Sequence, residues 1–118
     1  MNLVACVGAD KENWGQITAL MNHMECEQIV LVMNSNASNF PTNEKCRVIS
    51  LESTTPLITL KRSLIEQLRP VIGKEFEVAL SLASGTGKEH MALVAALLNT
   101  PVGIRLVVFT KQGVETIT

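Results

Sequence analysis

SLASGTGKEHMALVAALL, residues 81 to 98, passes from the end of an apolar run through a polar, glycine-rich turn into a helical pattern. The run before it, Phe76 to Leu82, predicts a buried strand, and Met91, Val94, Leu97 and Leu98 recur at helical spacing. Thr86 followed three residues later by Glu89 is a capping-box pattern, so the helix is expected to begin at the turn. A strand, a glycine turn and a helix N-terminus together make an anion site. The first helical N–H groups have no partner, and the helix dipole adds about half a positive charge. Lys88 adds a full charge where it opposes the dipole, a conflict that a bound anion would relieve. The turn is not the NTPase phosphate loop, because Leu82 stands where the first glycine belongs and Glu89 follows the lysine. Nor does it lie on the first strand, as a dinucleotide fingerprint would. Gly85 and Gly87 equally suit a plain tight turn between a strand and a helix.

Upstream, apolar runs alternate with helical patterns. Leu3 to Val7 is almost continuously apolar, which predicts a short strand covered on both faces. It ends at Gly8-Ala9-Asp10, where Asp10 is placed to cap the next helix. In that helix Trp14, Ile17, Leu20, Met21 and Met24 mark the buried face. Trp14 reads as a core or subunit-interface residue ahead of a ligand-stacking one. Gln28 to Met33 is a second strand, and Asn34 to Lys45 is a long polar connection with room for one helical turn. Arg47 to Leu51 is a third, shorter strand. Thr55-Pro56 predicts a helix start, with Thr as cap and Pro in the first helical position. Leu57, Leu60, Leu64, Ile65 and Leu68 supply its apolar face, and Pro70 predicts an end or a kink at Arg69.

Downstream, Asn99-Thr100-Pro101 stops the last helix. Ile104 to Thr110 is a fifth strand, and Lys111-Gln112-Gly113 turns the chain into Val114 to Thr118 as an edge hairpin. The expected fold class is therefore α/β: a Rossmann-like three-layer sandwich with a mostly parallel central sheet and a C-terminal β-hairpin.

Composition narrows the function classes. The chain has 118 residues, enough for one compact domain over residues 1–118 that buries about two-thirds of its unfolded surface. A net charge of −1 and a pI near 6.1 argue against a duplex nucleic-acid surface, which needs clustered Lys and Arg. Aromatic residues make up 3%, with no Tyr, so a base-stacking platform is not expected. No apolar run reaches membrane-spanning length, and the N-terminus lacks a signal-peptide pattern, so a cytoplasmic protein with no membrane partner is expected. Cys6, Cys26 and Cys46 form no CxxC pair and read as reduced thiols. His23 and His90 have no second ligand nearby in sequence, so neither a metal site nor a cofactor is expected.

Right-handed crossovers favour the strand order 3-2-1-4-5, which makes the first and fourth strands neighbours and reverses the winding between them. Ligands bind at such switch points, beyond the carboxyl ends of the strands. The loops there are Gly8-Ala9-Asp10-Lys11 and Ser84-Gly85-Thr86-Gly87-Lys88. A nucleotide-like anion is the leading ligand. Asp10 is awkward beside a phosphate, which favours a capping role or a contact with a base or ribose.

A polar loop after the first strand, a Ser-Gly-Thr-Gly-Lys turn after the fourth and a closing hairpin resemble the CRISPR-associated Rossmann fold (CARF) domains. The likeness of layout covers nearly the whole chain, and Ser84 to Met91 is its motif-like part. The family turn is closer to Thr-Gly-Gly-Thr-Lys before a helix carrying a Met; here Gly and Thr change order. The resemblance implies a homodimer with a cyclic oligoadenylate across the two-fold axis. It implies that Ser84, Gly85, Thr86, Gly87 and Lys88 bind phosphate, and that Gly8, Ala9 and Asp10 line the ligand.

Three functions follow as expectations. The first is a standalone sensor that binds cyclic oligoadenylate or a related small nucleotide in antiviral defence. The second is a metal-independent ring nuclease, in which Lys88 stabilises developing charge, Ser84 or Thr86 orients the phosphate and His90 is a candidate acid or base. His90 lies one turn into the helix, where it is free to face away. The third is a Rossmann-like protein outside CRISPR defence, holding a mononucleotide or flavin, or a structural subunit that binds nothing.

Overall fold

The computed structural model describes residues 1–118. Six strands form one sheet: β1 (Asn2–Val7), β2 (Ile29–Asn34), β3 (Cys46–Leu51), β4 (Glu77–Ser81), β5 (Gly103–Thr110) and β6 (Gly113–Thr116). Their order is β3-β2-β1-β4-β5-β6. The first five pair in parallel and β6 returns antiparallel along β5. This is the expected switch-point order with the hairpin strand added at the edge. Three helices cover the sheet: α1 (Trp14–His23), α2 (Leu57–Ile72) and α3 (Gly87–Leu98).

The apolar run of β1 explains its central place, since all six of its residues are buried. Alternation sends Leu3, Ala5 and Val7 to one face and Val4 and Cys6 to the other. On the first face they meet Ile17 and Leu20 of α1, with Ala37 and Phe40 of the connection after β2. On the second they join the side chains of α2 and α3. The polar connection contains one 3-10 turn, Ser35–Ala37, as expected. Its Phe40 sets an edge against the Trp14 ring, with centroids 5.4 Å apart.

Three local expectations are corrected. Pro56 is the N-cap of α2 and not its first helical residue; its carbonyl accepts from Leu60 N at 2.8 Å. Thr55 makes no side-chain cap, because it closes a turn back to the Glu52 carbonyl. Second, of the end or kink expected at Arg69, the end is overturned: α2 runs through Pro70 to Ile72, and Gly73 N still reaches the Arg69 carbonyl at 2.9 Å. Leu60, Leu64, Leu68 and Ile72 form one buried row, and the burial of Ile72 (about 1.5–3 kcal/mol) offsets much of the proline cost.

Third, of the helically spaced Met91, Val94, Leu97 and Leu98 in α3, only Leu97 is fully buried. Ala92, Leu93, Ala96 and Leu97 are buried, whereas Met91 is 59% and Leu98 is 73% exposed. The small Ala92 and Ala96 sit against the sheet. The helix is apolar nearly all round, so spacing alone did not select its inner face. No helix is long and apolar enough to cross a membrane.

Candidate functional site

The carboxyl ends of β1 and β4 lie side by side, with Ala5 of β1 in register with Ser81 of β4. The two following loops are bonded to each other. Gly8 N donates to Ser84 Oγ at 2.9 Å, and Ser84 Oγ donates to Asp10 Oδ1 at 2.6 Å. Gly85 N donates to the same oxygen at 3.0 Å, and Asn13 Nδ2 donates to Asp10 Oδ2 at 2.7 Å. Contact is close enough that a Cβ on Gly8 would lie 2.6 Å from Gly85 Cα. Gly85 has φ +108°, and a Cβ there would also strike Cys6 Sγ at 2.7 Å. Glycine is required at both positions by the approach itself.

Asp10 stands at the N-cap position of the 3-10 turn Lys11–Asn13, but its side chain does not cap it. Its carboxylate makes no capping bond and joins the two loops across the switch point. Partial burial pushes this carboxyl up, but hydrogen bonds from Ser84, Asn13 and Gly85 outweigh that and hold it below its ordinary value. On the other side of the loop, Trp14 Nε1 donates to the Gly8 carbonyl at 2.9 Å. The backbone of Gly8 is thus satisfied within the protein at both its N–H and its C=O.

The start of α3 forms the second half of the site. The expected capping box is present: Thr86 Oγ1 accepts from Glu89 N at 3.2 Å, and Glu89 Oε1 accepts from Thr86 N at 2.8 Å. Glu89 is 1% exposed, and its second oxygen accepts from Asn34 Nδ2 at 2.8 Å. The N-terminal dipole of α3 further favours this buried charge. Cys6, beneath the turn, is pushed up to about 12 by burial, then by the charges of Glu89 and Asp10, so it is no nucleophile.

The residues singled out in the sequence thus divide into two groups. Ser84 is fully buried and spends its hydroxyl on Gly8 and Asp10. Gly8 is also buried, and Gly85 gives its N–H to Asp10. Ala9, Thr86, Gly87 and Lys88 are exposed at the crevice mouth. The amides of Gly87 and Lys88 are the first two of α3 and donate to no protein acceptor. A Cβ on Gly87 would meet nothing within 4 Å, so the space beside its Cα is open. Lys88 Nζ reaches the Ser53 carbonyl, 2.7 Å away, in the loop between β3 and α2. His90 does not face away: its Nε2 lies 2.6 Å from the Ser84 carbonyl, which can only accept, so the ring nitrogen donates.

Asn34 and Ser53 were missed by sequence reasoning. Each becomes a neighbour of α3 only through the strand order. Beside the crevice, the outer flank of α3 carries a shallow apolar groove of about 450 Å³, lined by His90, Met91, Val94, Ala95 and Leu98.

No family model matches the chain, and no curated protein matches it. Solved structures do. The fold is similar to that of Can2 from Sulfobacillus thermosulfidooxidans, solved in complex with cyclic tetra-adenylate. The TM-score is 0.63 at 8% identity, over 98% of this chain and 36% of that one. It is also similar to Enterococcus italicus Csm6 bound to cyclic hexa-2'-fluoro-hexa-dAMP, with TM-score 0.55 at 16% identity, over 90% of this chain and 32% of that one. The chain spans about a third of the length of each. At these identities the likeness is one of fold.

Proposed function

We propose that this CARF-like domain is a homodimeric sensor that binds a cyclic oligoadenylate across its two-fold axis, as part of CRISPR antiviral defence. The observation that carries the proposal lies on one helix. The N-terminus of α3 offers two unpartnered amides and Lys88 at the crevice mouth, while the flank of the same helix is apolar and exposed. Pairing two such flanks about a two-fold axis that runs along α3 would bury Met91, Val94 and Leu98 and bring two α3 N-termini together. A ring of phosphates is the ligand whose symmetry matches that arrangement. Both structural neighbours were solved with cyclic adenylate ligands, which supports the choice.

In this reading the Gly87 and Lys88 amides and the Lys88 ammonium contact phosphate directly. Thr86 and Ala9 line the mouth. Ser84, Gly85, Gly8 and Asp10 hold the two loops in place. A ring nuclease is the second reading, supported by Lys88 as an exposed cation at the phosphate position, with Thr86 beside it.

The test is titration of the purified protein with cyclic tetra-adenylate and cyclic hexa-adenylate, beside Lys88→Ala, with mass analysis of the recovered ligand. Tight binding that the variant loses supports the sensor. Linear products, formed in EDTA and absent in the variant, support the nuclease. If neither ring binds, the proposal is wrong, and a crevice for another nucleotide is the reading to pursue.

A further inference from the structure

We propose that Asp10 acts as an internal anion: its carboxylate occupies the Ser84 hydroxyl and Gly85 amide, donors a ligand phosphate would otherwise use, and so biases the crevice against single phosphates. This inference rests on the crevice being the ligand site proposed above.

The donors are committed at short range. Asp10 Oδ1 sits 2.6 Å from Ser84 Oγ and 3.0 Å from Gly85 N, and Oδ2 is held by Asn13 Nδ2 at 2.7 Å. A phosphate entering the β4 turn must either displace this carboxylate or bind beyond it. Beyond it, the Gly87 and Lys88 amides of α3 are without acceptors, as are the Ala9 and Asp10 amides of the facing loop. Asp10 has no ion-pair partner. Glu89 is itself acidic and accepts hydrogen bonds from Thr86 N and Asn34 Nδ2. Lys88 is directed to the Ser53 carbonyl, and Lys11 lies over the Trp14 ring, 5.8 Å from its centroid. His90 gives its Nε2 to the Ser84 carbonyl. All these groups lie inside one small domain, where repulsion is only partly screened by salt, whose Debye length is about 10 Å at 0.1 M.

A mononucleotide therefore gains the amides and Lys88 of one copy and meets a carboxylate with no ion-pair partner. A ring that spans two copies gains both α3 N-termini at once, and the second engagement is intramolecular. The same repulsion that defeats one phosphate is outweighed by several. Asp10 thus raises selectivity for a multivalent ligand without touching it.

The experiment compares inorganic phosphate, AMP and cyclic tetra-adenylate on the full chain, in Asp10→Asn and in Asp10→Ala, at low salt. Asparagine keeps the side-chain shape and one acceptor for Ser84 and Gly85, and removes the charge together with the acceptor that Asn13 uses. Phosphate and AMP affinity should rise on the order of tenfold in Asp10→Ala and less in Asp10→Asn, with a smaller change for the ring. A second measurement uses the unsubstituted protein. On addition of phosphate, the amide NMR signals of Gly87 and Lys88 should move while Gly85 stays bonded and protected from exchange. Unchanged or weakened phosphate binding in folded variants, or Gly85 shifting first, overturns the inference. Gained phosphate binding with no ring binding leaves the inference standing and removes the sensor reading. Ring binding with no gain in phosphate binding does the reverse.

Discussion

Glu89 and Asn34, 55 positions apart in the chain, share a buried hydrogen bond of 2.8 Å between Oε2 and Nδ2. That bond fastens the start of α3 to the end of β2, while the other oxygen of Glu89 holds the Thr86 amide. Glu89→Ala removes the capping box and leaves the buried Asn34 amide without its acceptor. A lost cap costs about 0.5–2 kcal/mol and a stranded polar group about 1–3 kcal/mol. The expected loss is about 2–4 kcal/mol in urea denaturation. A loss under about 0.5 kcal/mol would show that the bond does not bear on stability.

Gly8→Ala places a methyl 2.6 Å from both Gly85 Cα and Asp10 Oδ1. The loops must separate, at about 1–3 kcal/mol. The crystal structure or NMR spectrum of the variant should show movement at both loops, although only one was changed. Gly87→Ala, with nothing within 4 Å of the new methyl, should leave the fold intact.

The exposed flank of α3 gives a separate prediction. Leu98→Asp lies at the far end of the helix from the crevice and is 73% exposed in the single chain. It should leave the melting temperature of the monomer within a few degrees and convert a dimer to a monomer in light scattering. Ring binding should fall with it. A dimer that survives both this change and Met91→Asp would move the interface elsewhere.

Acid sensitivity follows from Asp10. Its folded carboxyl is held below the ordinary 3.8, so the ionised form is the one the native loops favour. The stabilisation is present above pH 3.8 and is lost as pH falls through the lower folded value. Asp10→Asn should flatten that acid limb of the stability curve and leave the slope near pH 7 unchanged. An acid limb of equal steepness in the variant would assign the effect to other carboxylates.

Thiol chemistry should be selective. Cys6 is buried and pushed up to about 12, and Cys26 is buried and raised by desolvation, whereas Cys46 is partly exposed. Iodoacetamide at pH 8 should label Cys46 first in mass spectra of the native protein. Equal labelling of Cys6 would mean that the turn opens on the labelling timescale.

Much of this arrangement is legible in the residues. The unbroken apolar runs of β1 and β2 specify strands covered on both faces, and connection rules then fix which loops adjoin. Thr86 and Glu89 announce the α3 start because a capping box is entirely local. What the sequence conceals is directional. Periodicity in an all-apolar helix cannot say that Ala92 and Ala96, and not Met91 and Leu98, face the sheet. Pro70 marks a weak point in α2, but the core contact made by Ile72 two residues later offsets much of its cost. Asp10 looks like a cap because capping is what an Asp at a loop-to-helix junction most often does. Its true partners, Ser84 and Gly85, stand 74 and 75 residues away.

Lys88 carries one ammonium group, and the Ser53 carbonyl now holds it. Ser53 belongs to the loop that leads into α2, on the strand-β3 margin of the sheet and away from the switch point. A phosphate that recruits Lys88 would release that loop. Occupancy at the centre of the molecule would then be announced at its periphery, by a bond broken and not by one formed.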